Sequence, residues 1–69
     1  MIPKEKAIDI ARKDAETAYE DLSKYTVTAT FDGTNWHVEY ELREDVLGGG
    51  PEYIISGENG EILEKTYWQ

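Results

Sequence analysis

The chain has 69 residues, no cysteine, and a formal net charge of −8 from 15 acidic and seven basic side chains. That length makes one small domain, residues 1–69, whose core rarely supplies more than about 3–5 kcal/mol. The lack of cysteine excludes disulfides and thiolate metal sites. The acidity argues against nucleic acid and anionic membranes, whose phosphates require lysine and arginine, and no apolar run approaches the length that spans a bilayer.

Residues 3–22 read as one amphipathic helix. Ala7, Ala11, Ala15, Ala18 and Leu22 recur every three or four positions, and Ile8, Ile10 and Tyr19 widen the stripe. Glu5, Asp9, Arg12, Lys13, Glu16 and Glu20 lie on the opposite side. Pro3 suits the first turn, where its missing N–H has no partner to lose. Ile2 is a poor cap, which predicts a frayed start, and the stop falls between Tyr19 and Lys24. Four alanines in the stripe predict close approach to whatever the helix covers.

Two alternating segments follow. In the stretch 25–31, Tyr25, Val27, Ala29 and Phe31 share one face, and Thr26, Thr28 and Thr30 share the other. In 36–42, Trp36, Val38, Tyr40 and Leu42 oppose His37, Glu39 and Glu41. Period two marks half-buried strands, and Asp32-Gly33-Thr34-Asn35 is turn chemistry between them. Pairing Phe31 with Trp36, Ala29 with Val38, Val27 with Tyr40 and Tyr25 with Leu42 gathers every apolar residue on one side. A slip of one residue would undo this.

Residues 43–50 are a connection. The run Gly48-Gly49-Gly50 predicts a bend or bulge with at least one positive φ, and Pro51 ends that freedom. A third strand, 52–56, and a fourth, 61–67, flank the turn Gly57-Glu58-Asn59-Gly60. Placing Ser56 opposite Glu61 sets Ile55 against Ile62 and Ile54 against Leu63. Both faces are then partly apolar, so the pattern alone leaves the buried face open. The favoured placement has Tyr53, Ile55 and Ile62 inward with Glu64 on the same side, and Glu52, Ile54, Leu63 and Lys65 outward. The expected architecture is α+β, an N-terminal helix on one face of a curved four-stranded antiparallel sheet in the order α-β-β-β-β.

Catalytic constellations are not evident. His37 is the sole histidine and reads as an exposed strand residue facing Thr30, not as part of a nucleophilic triad or a metal site. Glu39 and Glu41 share a strand face about 7 Å apart. A carboxylate pair is conceivable there, but acidic strand faces are common and no cleft is indicated. The glycine run lacks the lysine and hydroxyl of a phosphate loop, and the 57–61 turn lacks the spacing of a calcium loop. Tyr67 and Trp68 stand out as aromatic contacts near the end of the chain.

Three stretches carry a resemblance. The helix Lys4-Glu5-Lys6-Ala7-Ile8-Asp9-Ile10-Ala11, the strand Trp36-His37-Val38-Glu39-Tyr40 and the hairpin Tyr53-Ile54-Ile55-Ser56-Gly57-Glu58-Asn59-Gly60-Glu61-Ile62-Leu63 resemble a PepSY domain. Ser56 replaces the usual aspartate and Asn59 the usual threonine, both turn formers. Residues 36–38, with Leu47-Gly48-Gly49-Gly50-Pro51-Glu52-Tyr53 and the same hairpin, are similar to NTF2-fold immunity proteins, although this chain covers only the helix-plus-sheet part. Both resemblances imply a non-enzymatic domain that binds another protein. PepSY domains are associated with protease propeptides, and the immunity proteins with neutralising a toxin.

The sequence-based expectation is therefore an acidic protein-binding module, of inhibitor or immunity type, without cofactor or metal. Its partner is a toxin or peptidase, with a basic surface suiting it best. The expected contact face is the open side of the sheet: Thr26, Thr28, Thr30, His37, Glu39 and Glu41. A homodimer through that face is the self-associating variant. The alternatives are a structural PepSY-type domain of a larger envelope or secreted protein, and a small-ligand-binding NTF2-like domain. No leader opens the residues given, which reads as cytoplasmic, or as extracytoplasmic if they belong to a longer protein.

Overall fold

A computed structural model of the chain describes residues 1–19, 22–42 and 49–67, apart from the side chain of Leu42. Helix α1 spans Lys4–Ala18 and is followed by β1 (Tyr25–Phe31), β2 (Asn35–Leu42), β3 (Gly49–Ser56) and β4 (Ile62–Thr66). The strands form one antiparallel sheet in the order β1-β2-β3-β4, an α+β arrangement.

The helix starts and stops for different reasons than its sequence suggests. Pro3 is the cap, in extended conformation, and its carbonyl accepts from the N–H groups of Lys6 and Ala7. No side chain caps the start, yet it is anchored. The Ile2 N–H donates to the Gly57 carbonyl at 2.8 Å, and the Trp36 indole N–H donates to the Ile2 carbonyl at 3.2 Å. The expected fraying is therefore replaced by a tie to the sheet. At the other end Tyr19 is extended, so the helix closes at Ala18 and not near Leu22. The Tyr19 ring leaves the helix to stack edge-on against Tyr25 and Tyr67, with centroids 6.0 and 5.9 Å away.

Ala7, Ala11, Ala15, Val38 and Ile55 have no exposed surface, and Tyr53 and Tyr40 are nearly as buried. With methyl groups alone on its inner stripe, the helix can lie directly on the aromatic and branched side chains of β2 and β3. Ile2, Ile10, Leu22, Tyr25, Ala29, Trp36 and Ile62 complete the periphery. Ala18, Val27 and Phe31, all expected in the core, fall outside it. Ala18 is exposed because the helix is ending there, and Val27 is 37 % exposed because the helix covers its side of β1 only in part. Phe31 is half-buried against Trp36, ring centroids 5.1 Å apart.

The first hairpin has the register that its alternation predicts, from Tyr25 opposite Leu42 to Phe31 opposite Trp36. Gly33, with φ +103°, occupies the first central position of the turn, which favours glycine in a type II′ hairpin. The second half of the sheet is less regular. β3 begins at Gly49, earlier than the expected 52, and one extra residue on β3 is accommodated between Gly49 and Glu52, opposite the stretch from Glu39 to Glu41. Pro51, which has no N–H to donate, lies within this bulge. Neither Gly49 nor Gly50 has the positive φ expected of the glycine run, and Gly48 lies outside the described residues. Glycine is needed at position 50 for a different reason. A β-carbon there would sit 2.7 Å from the Tyr40 carbonyl oxygen and 2.9 Å from the Tyr25 ring.

A second bulge lies in β4. Ile55 pairs with Ile62, as expected, but Ile54 pairs with Glu64 and Tyr53 with Lys65, leaving Leu63 as the extra residue. Each position after it changes face. Tyr53, Ile55 and Ile62 do point inward, but Glu64 joins the open face and Lys65 the helix side, the reverse of the expected placement.

Candidate functional site: the open face of the sheet

Opposite the helix the sheet presents two polar rows. Thr30, His37, Ile54 and Glu64 lie across the four strands in one row, and Thr28, Glu39, Glu52 and Thr66 in the next. Thr26 and Glu41 extend the face toward the far end of β1 and β2. Thr26, Thr28, Thr30, Glu39 and Glu41 are exposed and His37 is partly so, which puts all six expected contact residues on one surface. Glu52 and Ile54 lie here as expected, and the structure adds Glu64 and Thr66, which the bulge at Leu63 brings to this face. A shallow depression of about 160 Å³ lies among His37, Glu39, Glu52, Ile54, Glu64 and Thr66.

The electrostatics of this face are one-sided. Glu39, Glu41, Glu52 and Glu64 lie on it, and Glu39 stands directly opposite Glu52 across β2 and β3. Like charges in that relation repel, so the arrangement costs stability unless a counter-charge is supplied. His37 is the titratable base that the register places here, and it is already engaged. Its Nε2 lies 2.7 Å from Asp32 Oδ2, while Asp32 Oδ1 accepts from the N–H groups of Asn35 and Thr34 at 2.7 and 2.8 Å. The Asn35 N–H, then His37 and the Thr34 N–H, bring the Asp32 carboxyl down to about 2. This aspartate orders the turn and holds the imidazole.

A second polar cluster lies on the helix side. Asp14 Oδ2 accepts from the Tyr53 hydroxyl at 3.0 Å and from the Tyr67 hydroxyl, and Oδ1 accepts from Lys65 Nζ at 3.2 Å. The Tyr67 hydrogen bond, followed by those of Lys65 and Tyr53, lowers the Asp14 carboxyl below its usual value. Burial, reinforced by Asp14, pushes the Tyr53 hydroxyl far above the ordinary range. Here α1 is tied to β3 and to the end of β4. Tyr67, expected as an exposed contact, is 41 % exposed but has its hydroxyl committed to this cluster. Trp68 lies outside the described residues. Sequence reasoning passed over Asp14. Its signal is position: four residues after Ile10 and next to Ala15, it flanks the buried stripe.

Between α1 and β1 runs an apolar groove of about 550 Å³, lined by Ile8, Leu22, Tyr25, Val27 and Tyr40, with Arg12 and Glu16 also contributing. Among the described residues no group of three or more histidine, aspartate and glutamate side chains is placed to hold a metal ion, and no helix is long and apolar enough to cross a membrane.

The chain matches no family model, no curated protein sequence and no solved structure. The likeness to PepSY domains and to NTF2-fold immunity proteins therefore rests on the motifs quoted above.

Proposed function

We propose that this chain is a non-enzymatic, acidic protein-binding module of inhibitor or immunity type, whose open sheet face receives a basic surface of a toxin or peptidase. The observation that supports the reading is the gathering of Glu39, Glu41, Glu52 and Glu64 on one face, including a Glu39–Glu52 pair in direct opposition. A basic partner brings positive charge to this acidic face, which steers its approach and pairs with the carboxylates. The chain's net charge of −8 adds long-range attraction toward the same kind of partner.

The test pairs the protein with the toxin or peptidase encoded beside it and measures association at increasing salt. Charge of this kind acts mainly on the association rate and is screened over about 8–10 Å. Association slowed by salt, and slowed again in Glu39→Gln/Glu41→Gln with melting not lowered, supports the reading. A complex seated on the helix's outer face, around Asp9, Arg12, Lys13 and Glu16, with the double substitution silent, overturns it.

The small-ligand alternative has one observation in its favour, the groove between α1 and β1. That groove opens along the sheet edge, a shape better suited to a length of chain than to an enclosed small molecule.

A further inference from the structure

We infer that β1 is a docking edge for an extended basic segment of the partner, which adds to the sheet as a fifth, antiparallel strand. This deepens the protein-binding reading and rests on it.

The argument starts from the two edges of the sheet. β4 is five residues long, carries Glu64 and Lys65, and is kinked by the bulge at Leu63. Short length, charge and a bulge are the usual devices that keep an edge strand from pairing with other chains. β1 has none of them. Its seven residues, Tyr-Thr-Val-Thr-Ala-Thr-Phe, carry no charge, and its pairing with β2 is unbroken. The Asp32 N–H bonds the Asn35 carbonyl at 3.0 Å, which makes 32 and 35 a hydrogen-bonded pair. By antiparallel alternation Thr30, Thr28 and Thr26 bond toward β2, and the backbone groups of Phe31, Ala29 and Val27 point to the edge.

Both sides of an added strand meet something complementary. On the helix side, side chains reach the groove beside Val27, Ile8 and Leu22, which accepts apolar groups. On the open side they stand next to Thr26, Thr28 and Thr30, two strand spacings, or about 10 Å, from Glu39 and Glu41. Long basic side chains reaching inward across Thr26, Thr28 and Thr30 come within the range over which the charge of Glu39 and Glu41 is felt. The favoured occupant is therefore a segment alternating lysine or arginine with apolar residues, held by main-chain hydrogen bonds and sorted by its side chains. A second copy of this chain is disfavoured, because each copy brings a charge of −8 and its own glutamates to the same seam.

The probe is a seven-residue peptide of alternating lysine and valine, titrated into the intact protein at low salt. Hydrogen exchange is read at each backbone amide. Slowed exchange at Val27, Ala29 and Phe31, and affinity about tenfold weaker when two peptide amides on the pairing side are N-methylated, support the proposal. Ala29→Pro, which removes an edge-facing donor at a position where edge strands tolerate proline, should weaken binding to a similar degree. The N-methylated peptide probes the same hydrogen bonds without altering the protein. Salt-sensitive binding that ignores both changes and protects no β1 amide overturns the edge while leaving the acidic-face reading intact. Absence of binding at low salt overturns both. Concentration-dependent dimerisation that protects the same amides without peptide overturns the choice of occupant.

Discussion

The two faces of this sheet are built by opposite rules. The covered face has methyl groups on one side of the seam and large side chains on the other: Ala7, Ala11 and Ala15 against Val38, Tyr40, Tyr53 and Ile55. Asp14, at the margin of that seam, has three hydrogen-bonding partners. The open face has four glutamates, four threonines and a histidine held by a turn aspartate, with two glutamates directly opposed. Stability is concentrated on the first face, where the fully buried side chains lie.

The largest way to break the contrast is to hollow the covered face. Ile55→Ala should cost about 2–5 kcal/mol, read as a loss of melting temperature, because Ile55 has no exposed surface and leaves a cavity between helix and sheet. Overpacking the same seam should cost somewhat less. Ala11→Leu should destabilise by about 1–3 kcal/mol, since the added methylenes have nowhere to go. Ala18→Leu, on the exposed last residue of the helix, should be nearly silent. Equal effects at positions 11 and 18 would mean that the helix packs by another side.

Asp14 sharpens the comparison from the electrostatic side. Asp14→Ala should cost about 1–3 kcal/mol, because the buried Tyr53 hydroxyl loses its acceptor. The pH dependence follows from the direction of the shift. The folded carboxyl lies below the ordinary value of 3.8, so folding favours the ionised form. Its stabilisation is complete above pH 3.8 and is lost as the pH falls through the lower folded value. Asp32, brought down to about 2, loses its contribution over the window from 3.8 to about 2. Thermal melts from pH 6 to pH 2 should fall steeply below about pH 4 in the native sequence, and less steeply in Asp14→Ala.

The smallest expected effect has the opposite sign. Glu39→Gln removes one member of the opposed glutamate pair and should raise stability by about 0.2–1 kcal/mol in low salt, with the gain shrinking as salt is added. A loss of stability on this substitution would mean that Glu39 is a structural residue and that the open face was not built at a cost.

The regular parts of the fold were legible because their signals are local. Alternation along 25–31 and 36–42 allows one register that keeps every apolar residue on one side, and the spacing of Ala7, Ala11 and Ala15 identifies the helix face. The six expected contact residues follow from the same alternation, since a strand with one apolar face has a polar one. The helix end was harder to place. Ala18 and Leu22 continue the apolar spacing, but Tyr19 is extended and its ring packs edge-on against Tyr25 and Tyr67.

What the sequence determined by itself is the α+β plan, the first hairpin and the acidity of the outer face, because periodicity and charge are properties of consecutive residues. The tertiary structure decided the rest. It placed bulges near Gly50 and at Leu63, so Glu64 faces outward and Lys65 reaches Asp14. A bulge depends on how two strands and a helix fit together, as when the Tyr40 carbonyl and the Tyr25 ring leave no room for a β-carbon at position 50. The same fit left β1 at an uncharged edge beside the groove, because a helix whose alanines lie closely on β2 and β3 does not also cover all of β1. Neighbours brought together from distant parts of the chain set these features, and no local pattern records them.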